Sequence, residues 1–311
     1  MAFNIYFAGG LPKDTEVLLQ THNGNRLYSQ LHERNSVGNK WIPFKKENSN
    51  NTSKLFVDSG AYSAHTKGKS LDVDDYIDYL NTNVGMFDAM AQVDTIPGEF
   101  GKPKTFKQLR ESPEQSWNNY LYMRERVLDK DALLPIFHMG EDFKWLHTML
   151  EATFENGKHI PYIGISPAND STTKFKDRWL EKVFRIIRES NNPNVKTHAF
   201  GMTVLSQLER HPLYSADSTS PLMAGAMGRI ITKYGPISFA EKHGGIKNFE
   251  RQSKAVQLSI RTIAEEAGYT VEELATSWRA RVTFNCQYCM DWAETYQFKG
   301  IKYRQKTLFT F

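Results

Sequence analysis

Seven short apolar runs are spread along the chain, and the segments between them carry apolar residues at three- and four-residue spacing. The runs are NIYFAGG (4–10), LFVDSG (55–60), MFDAMAQVD (86–94), ALLPIFHMG (132–140), YIGIS (162–166), THAFGMT (197–203) and LYSADS (213–218). Between them, VDDYIDYLN puts Val73, Tyr76, Ile77 and Leu80 on one helical face. SPEQSWNNYLYMRERV predicts a helix with Ser112 as its N-cap and Pro113 at its first position. EDFKWLHTMLEATF and DRWLEKVFRIIRES read as amphipathic helices too.

This alternation predicts a parallel sheet covered by helices. With no dinucleotide-binding glycine fingerprint, it favours a closed (β/α)₈ TIM barrel, an α/β fold, over a doubly wound sheet. RVTFNC (281–286) is the candidate eighth strand, after a helical region over 248–280 in which Thr270 and Glu273 match a capping box. GRIITKYG (228–235) is the alternative, although it looks more like half of a hairpin. The Asn-, Ser- and Lys-rich stretch 35–54 reads as a surface loop. The whole chain, 1–311, is expected to be one barrel domain ending in a basic segment from about 298.

Three of the runs close on an acid followed by a hydroxyl residue: Asp58-Ser59, Asp94-Thr95 and Asp217-Ser218. Asp, Ser and Thr at the end of a βα loop commonly cap the next helix. In a parallel barrel, however, strand ends and the loops after them also build the active-site face, so the three acids can equally converge on one site. Gly60, directly after Asp58-Ser59, lets the backbone approach a flat ligand closely. Two facing carboxylates equip a site for glycosidic chemistry: one attacks an anomeric carbon, the other moves protons, and the cationic sugar favours an anion beside it.

Composition narrows the setting. The 311 residues carry 39 Lys and Arg against 35 Asp and Glu, net +4, a basic lean that permits a polyanionic partner. Two cysteines fit a reducing compartment. MAFNIYFAGGLPKD has no basic signal-peptide region, and no stretch approaches the ~18 apolar residues of a membrane span. A cytoplasmic protein without a membrane partner is expected. The C-terminal FKGIKYRQK interleaves Lys299, Lys302 and Arg304 with Phe298 and Tyr303, and RIITKYG adds Arg229 and Lys233. Such residues can neutralise phosphates and stack on unpaired bases, or simply form a solvated end.

Together, DSGAYS, QVDT, IFHMG, YIGIS, HAFGMT and YSADSTS resemble the tRNA-guanine transglycosylase superfamily. They are most similar to its phage branch, the DNA-guanine transglycosylases called DpdA. The likeness runs in order from about residue 4 to residue 220, with DSGAYS and YSADSTS as its specific parts. It implies that Asp217 is the nucleophile toward C1′ and Asp58 the general acid/base. It implies that Asp94 hydrogen-bonds the purine edge, that Ser59 and Gly60 border the base, and that Gly164 and Ile165 offer backbone to it. His138, His198 and Gly201 fall in matching positions around the base. The implied partners are DNA, with tRNA as the alternative, and a 7-deazaguanine base such as preQ0 as co-substrate, with no cofactor.

Two departures stand out. The tRNA enzymes have a glutamine where this chain has His138. They also hold a structural zinc, whereas this chain has only Cys286 and Cys289, in NCQYC. Those two supply half the ligands of such a site, His243 or His211 being the conceivable others, so no zinc subdomain and no bound metal are expected. A metal-dependent barrel hydrolase using His138 and His198 ranks behind, for want of an early His-x-His. A catalytically silent nucleic-acid-binding barrel is the remaining class.

Overall fold

The computed structural model describes residues 3–99, 102–154, 157–168, 171–202, 204–239 and 247–300. Its main sheet holds β1 (Asn4–Phe7), β2 (Asn25–Ser29), β3 (Leu55–Asp58), β4 (Ala89–Ala91), β5 (Leu133–Leu134), β6 (Ile136–His138), β7 (Tyr162–Ser166), β8 (Lys196–Ala199) and β9 (Ser215–Ser218). All pairings in it are parallel, in the order β5-β4-β3-β2-β1-β9-β8-β7-β6. β5 and β6 are one strand interrupted at Pro135, which has no N–H to give to a ladder. The nine pieces are therefore eight strands, and the ring closes through this one: β5 pairs with β4 and β6 with β7. The fold is a (β/α)₈ barrel.

Period-two alternation sorts the strand side chains. Tyr6, Leu27, Phe56, Leu134 and Tyr162 point inward and fill the barrel. Ile5, Phe7, Leu55, Val57 and Ile163 point outward against the helices. The antiparallel hairpin β10 (Arg229–Thr232) and β11 (Gly235–Ser238) follows β9. Its Ile230 and Ile237 join Phe249, Ile260, Leu274 and Phe284 in a small core beside the barrel.

The eighth strand is β2, not 281–286. β2 escapes the apolar pattern because NRLYS carries a fully buried arginine. Arg26 donates to Glu16 through Nε (3.2 Å to each oxygen) and Nη2 (2.9 Å), and to the carbonyls of Phe7 (2.5 Å), Leu27 (2.7 Å) and Gly9. Trp41 Nε1 donates to the same Glu16 at 2.9 Å. One ion pair thus ties β1, β2, the helix Lys13–Thr21 and the helix Asn39–Glu47 together. That last helix corrects the surface-loop reading of 35–54, since Trp41 and Ile42 are buried in the core.

Residues 281–286 lie inside the helix Trp278–Glu294, and all six are buried. A helix enclosed on every side has no polar face to betray its period. The 229–232 segment is indeed half of a hairpin. The helix expected to start at Ser112 starts earlier, at Phe106, under a Thr105–Gln108 capping box, with Pro113 in its interior. The Thr270–Glu273 capping box is present as read.

A buried guanidinium that loses its carboxylate pays heavily, whereas exposed pairs contribute little. Glu16→Ala is expected to lower unfolding free energy by about 3–5 kcal/mol. Asp75→Ala, which breaks the exposed 2.9 Å pair with Arg34, should cost under about 1 kcal/mol. Urea denaturation of both variants checks this, and equal small losses would contradict the ion pair's role in holding β2.

Candidate active site

Asp58 is the last residue of β3, His138 the last of β6, and Asp217 the third of β9; Asp94 follows β4 by three residues. The C-terminal ends of the parallel strands share one face of the barrel, so these groups meet at its mouth. None of the three acids caps a following helix. The caps are Gly60, Thr105 and Thr219. The neighbouring hydroxyl residues shape the turns instead: Ser59 Oγ accepts from Ala61 N (3.4 Å) and Ser218 Oγ from Ser220 N (2.7 Å). Thr95 is held by Ser116 Oγ, which accepts its N–H at 2.9 Å. In each Asp–hydroxyl pair the second residue ties down the loop and leaves the acid free to face the mouth.

Asp217 is anchored by one oxygen. Oδ1 accepts from Gly201 N at 2.9 Å and lies 3.2 Å from His198 Nε2, while Oδ2 has no partner among the described residues. Gly201 has φ +63°, the left-handed region that turns its N–H toward the acid. His198 is sealed inside the barrel, edge-on to Phe56 and Phe200 at centroid distances of 4.5 and 4.6 Å. Burial lowers its pKa against the opposing pull of Asp217, so the ring is neutral. A neutral ring gives a proton to Asp217 only if Nδ1 accepts from Ser215 Oγ (2.7 Å), and Ser215 Oγ then accepts from Tyr162 OH (2.5 Å). Tyr162, Ser215 and His198 therefore form a chain of hydrogen bonds beneath Asp217, with His198 fully buried behind that carboxylate.

Asp58 sits in the opposite electrostatic situation. Burial pushes its carboxyl up to about 7 against the Gly60 N–H bond (3.0 Å), and the charges of Asp94, Asp217 and Glu33 raise it further. Those three acids are thus near enough for their charges to act on the Asp58 carboxyl. Gly60 has φ +83°, and a Cβ there would lie 2.6 Å from Ser29 Oγ and 2.7 Å from Leu31 Cβ. Glycine is required both by conformation and by the close approach of the β2 end.

Asp94 and His138 form a third unit. Asp94 Oδ1 accepts from Gln92 Nε2 at 2.7 Å, and Oδ2 is 3.2 Å from His138 Nε2. His138 Nδ1 is 3.2 Å from Glu141 Oε1. Burial disfavours the charged ring, yet Asp94 and Glu141 outweigh it and hold His138 up to about 10, so it is an imidazolium at neutral pH. Glu141 follows His138 by three residues in IFHMGE, a spacing that could have been noticed.

Glu33 had no such signal. It ends the short helix after β2, a strand hidden by its arginine, and its carboxyl is raised by burial despite Arg26. Its Oε2 and Ser29 Oγ are buried without a hydrogen-bond partner among the described residues. Gly164 faces the barrel interior, where a Cβ would meet Phe200 at 2.6 Å; Ile165 is buried on the outer side against the helices. Arg229, Lys233 and Lys299 line a separate cleft that contains none of the mouth carboxylates. Lys302 and Arg304 lie outside the described residues.

Cys286 and Cys289 are buried in the helix Trp278–Glu294, and burial raises both thiols, Cys289 to about 12. His211 is engaged elsewhere, with Nε2 3.0 Å from Asp177, and His243 lies outside the described residues. Among the described residues, no group of three His, Cys, Asp or Glu is placed to hold a metal ion. No described helix is long and apolar enough to cross a membrane.

No family model and no curated protein matches the chain. Among solved structures it is similar to an inactive double mutant of MutB in complex with isomaltulose. The TM-score is 0.38 at 12% identity, over 92% of this chain and 74% of that one.

The raised Asp58 predicts a stability cost at neutral pH. The folded state binds this proton up to about pH 7, the unfolded chain only to about pH 4, so stability falls as pH rises through that window. At 1.36 kcal/mol per pKa unit the cost approaches ~4 kcal/mol. Asp58→Asn is expected to be more stable than wild type by roughly 2–4 kcal/mol at pH 8 and equal to it below pH 4, in urea titrations across pH. An equal stability at pH 8 would contradict the buried, raised carboxyl.

Proposed function

We propose that the protein is a DNA-guanine transglycosylase, exchanging guanine in DNA for a 7-deazaguanine such as preQ0. The observation that carries this reading is the contrast between two acids at one barrel mouth. Asp217 has one oxygen anchored and the other without a partner among the described residues; Asp58 is a carboxyl with a pKa near 7, suited to passing protons both ways. The likeness of DSGAYS and YSADSTS to the transglycosylase superfamily supports the same assignment of roles.

In this reading Asp217 Oδ2 attacks C1′ as the C1′–N9 bond breaks. The bond's electron pair leaves on guanine, which takes the proton of Asp58. The incoming 7-deazaguanine returns a proton from N9 to the Asp58 carboxylate. N9 then closes on C1′ and releases Asp217. Two inversions retain the configuration at C1′, which the product strand requires. Asp94 faces the purine edge as an acceptor for N1–H and the 2-amino group; each of its oxygens already holds one neighbour and keeps a second lone pair. The target nucleotide must leave the stack to reach the mouth.

Labelled preQ0 incubated with the protein and either duplex DNA or tRNA, followed by hydrolysis to nucleosides, tests the reading. Label is expected in DNA. Label only in tRNA would move the substrate to tRNA, and label in neither would overturn the assignment. Asp217→Ala is expected to lower exchange by roughly 10⁴-fold or more, and Asp217→Asn to do the same while still binding DNA. Withholding the incoming base should leave wild-type protein covalently joined to the strand.

A further inference from the structure

A cleft of about 530 Å³ opens beside the barrel mouth, within the range of small-ligand sites. It is bounded by the helices Leu205–Leu208 and Ser220–Ala226, the β10–β11 hairpin and the helix Trp278–Glu294. Its lining residues Val204 and Ser220 stand three positions beyond Gly201 and Asp217, Val204 after the Gly201 turn and Ser220 at the start of the helix that follows β9. The cleft is therefore continuous along the chain with the site.

Its chemistry is two-sided. Met223 and Met227, 46% and 51% exposed, present thioethers, and Tyr288 and Trp292 present aromatic surface. Arg229, Lys233 and Lys299 supply the cations, against Glu209 as the one acid of the lining. Glu209 is occupied: Lys299 Nζ lies 2.8 Å from Oε2, and Trp292 Nε1 donates to Oε1 at 3.1 Å. Arg229 has no carboxylate partner among the described residues, and the Lys233 ammonium rests 5.2 Å over the Tyr234 ring. Among the described residues, positive charge without a carboxylate partner thus remains at the hairpin side, next to exposed sulfur and aromatic surface. Exposed methionines are adaptable contact surface of the kind that binding sites use.

We infer that this cleft binds a nucleotide unit of single-stranded nucleic acid, its base against Met223, Met227, Tyr288 and Trp292 and its phosphate on Arg229 and Lys233. Resting on the transglycosylase reading, the occupant is the nucleotide next to the one processed at Asp217. A flipped target leaves its neighbour unstacked, and aromatic and thioether surface replaces the lost stacking whatever the base. The same chemistry would accept a free nucleotide, so the test separates the two.

Binding is read by anisotropy of an end-labelled single-stranded oligonucleotide with the full chain, with GMP as competitor, across a salt series. The expected result for Arg229→Glu and for Met227→Glu is a loss of at least about tenfold in oligonucleotide affinity. For Arg229→Glu the salt slope should also flatten by about 0.7, one phosphate contact. Arg229→Lys should keep most of the affinity; Met227 is exposed and Arg229 half-buried, and unchanged thermal unfolding of the variants certifies the fold. Unchanged affinity in both variants overturns the inference, as does a wild type that binds GMP as tightly as the strand or binds neither. Loss of binding in the variants, with no base exchange by wild type on any polymer, would keep the cleft and remove the transglycosylase reading instead.

Discussion

Crowding carboxyl groups in a poorly solvated barrel mouth is the constraint on which the rest of the structure turns. Burial first, and then the charges of Asp94, Asp217 and Glu33, raise the cost of ionising Asp58. Like charges so placed cannot all be anions without compensation. Each acid solves the problem differently. Asp94 has the His138 cation, itself steadied by Glu141. Asp217 has a backbone N–H and a neutral imidazole. Asp58 has one N–H and the option of keeping its proton. The mouth therefore holds acids of unequal character, and that inequality is what two-step chemistry at a sugar carbon needs.

The scaffold around them serves this division. The Tyr162–Ser215–His198 chain of hydrogen bonds runs through the barrel interior, so it sets the orientation of Asp217 from below without occupying the mouth. Gly60 and Gly201 adopt left-handed conformations that bring N–H groups to Asp58 and Asp217. Arg26 and Glu16 hold β2 in place, and β2 in turn delivers Ser29 and Glu33 beside the Asp58 turn. A strand with a charged residue in its core is thus held by an ion pair as well as by Leu27 and Tyr28. Stability is spent near the site and regained in the layers of Tyr, Phe and Leu within the barrel.

Much of this was legible in the residues, for physical reasons. Parallel strands buried on both faces leave continuous apolar runs, and seven of the eight barrel strands announced themselves that way. The Asp–hydroxyl endings marked the mouth because strand ends and the loops after them lie on one face. β2 stayed hidden because its core contact is a guanidinium, and Glu33 stayed hidden with it. The segment 281–286 misled because a helix buried all round mimics a strand in composition. Residues 39–47 misled because Asn, Lys and Pro43 outnumber the two anchors, Trp41 and Ile42, that fold them onto the core. His198 and Gly201 were marked from the sequence, but their link to Asp217 needed three dimensions, since the two loops are joined only across β8 and β9.

The account depends on Asp58 and Asp217 being electrostatically joined in one site. Site-specific ¹³C observation of the Asp58 carboxyl through a pH titration measures that directly. The wild-type group should titrate near pH 7, and in the Asp217→Asn variant, where the neighbouring charge is gone, its midpoint should move toward lower pH. A midpoint near 4 in the wild type, or one indifferent to Asp217, would contradict it.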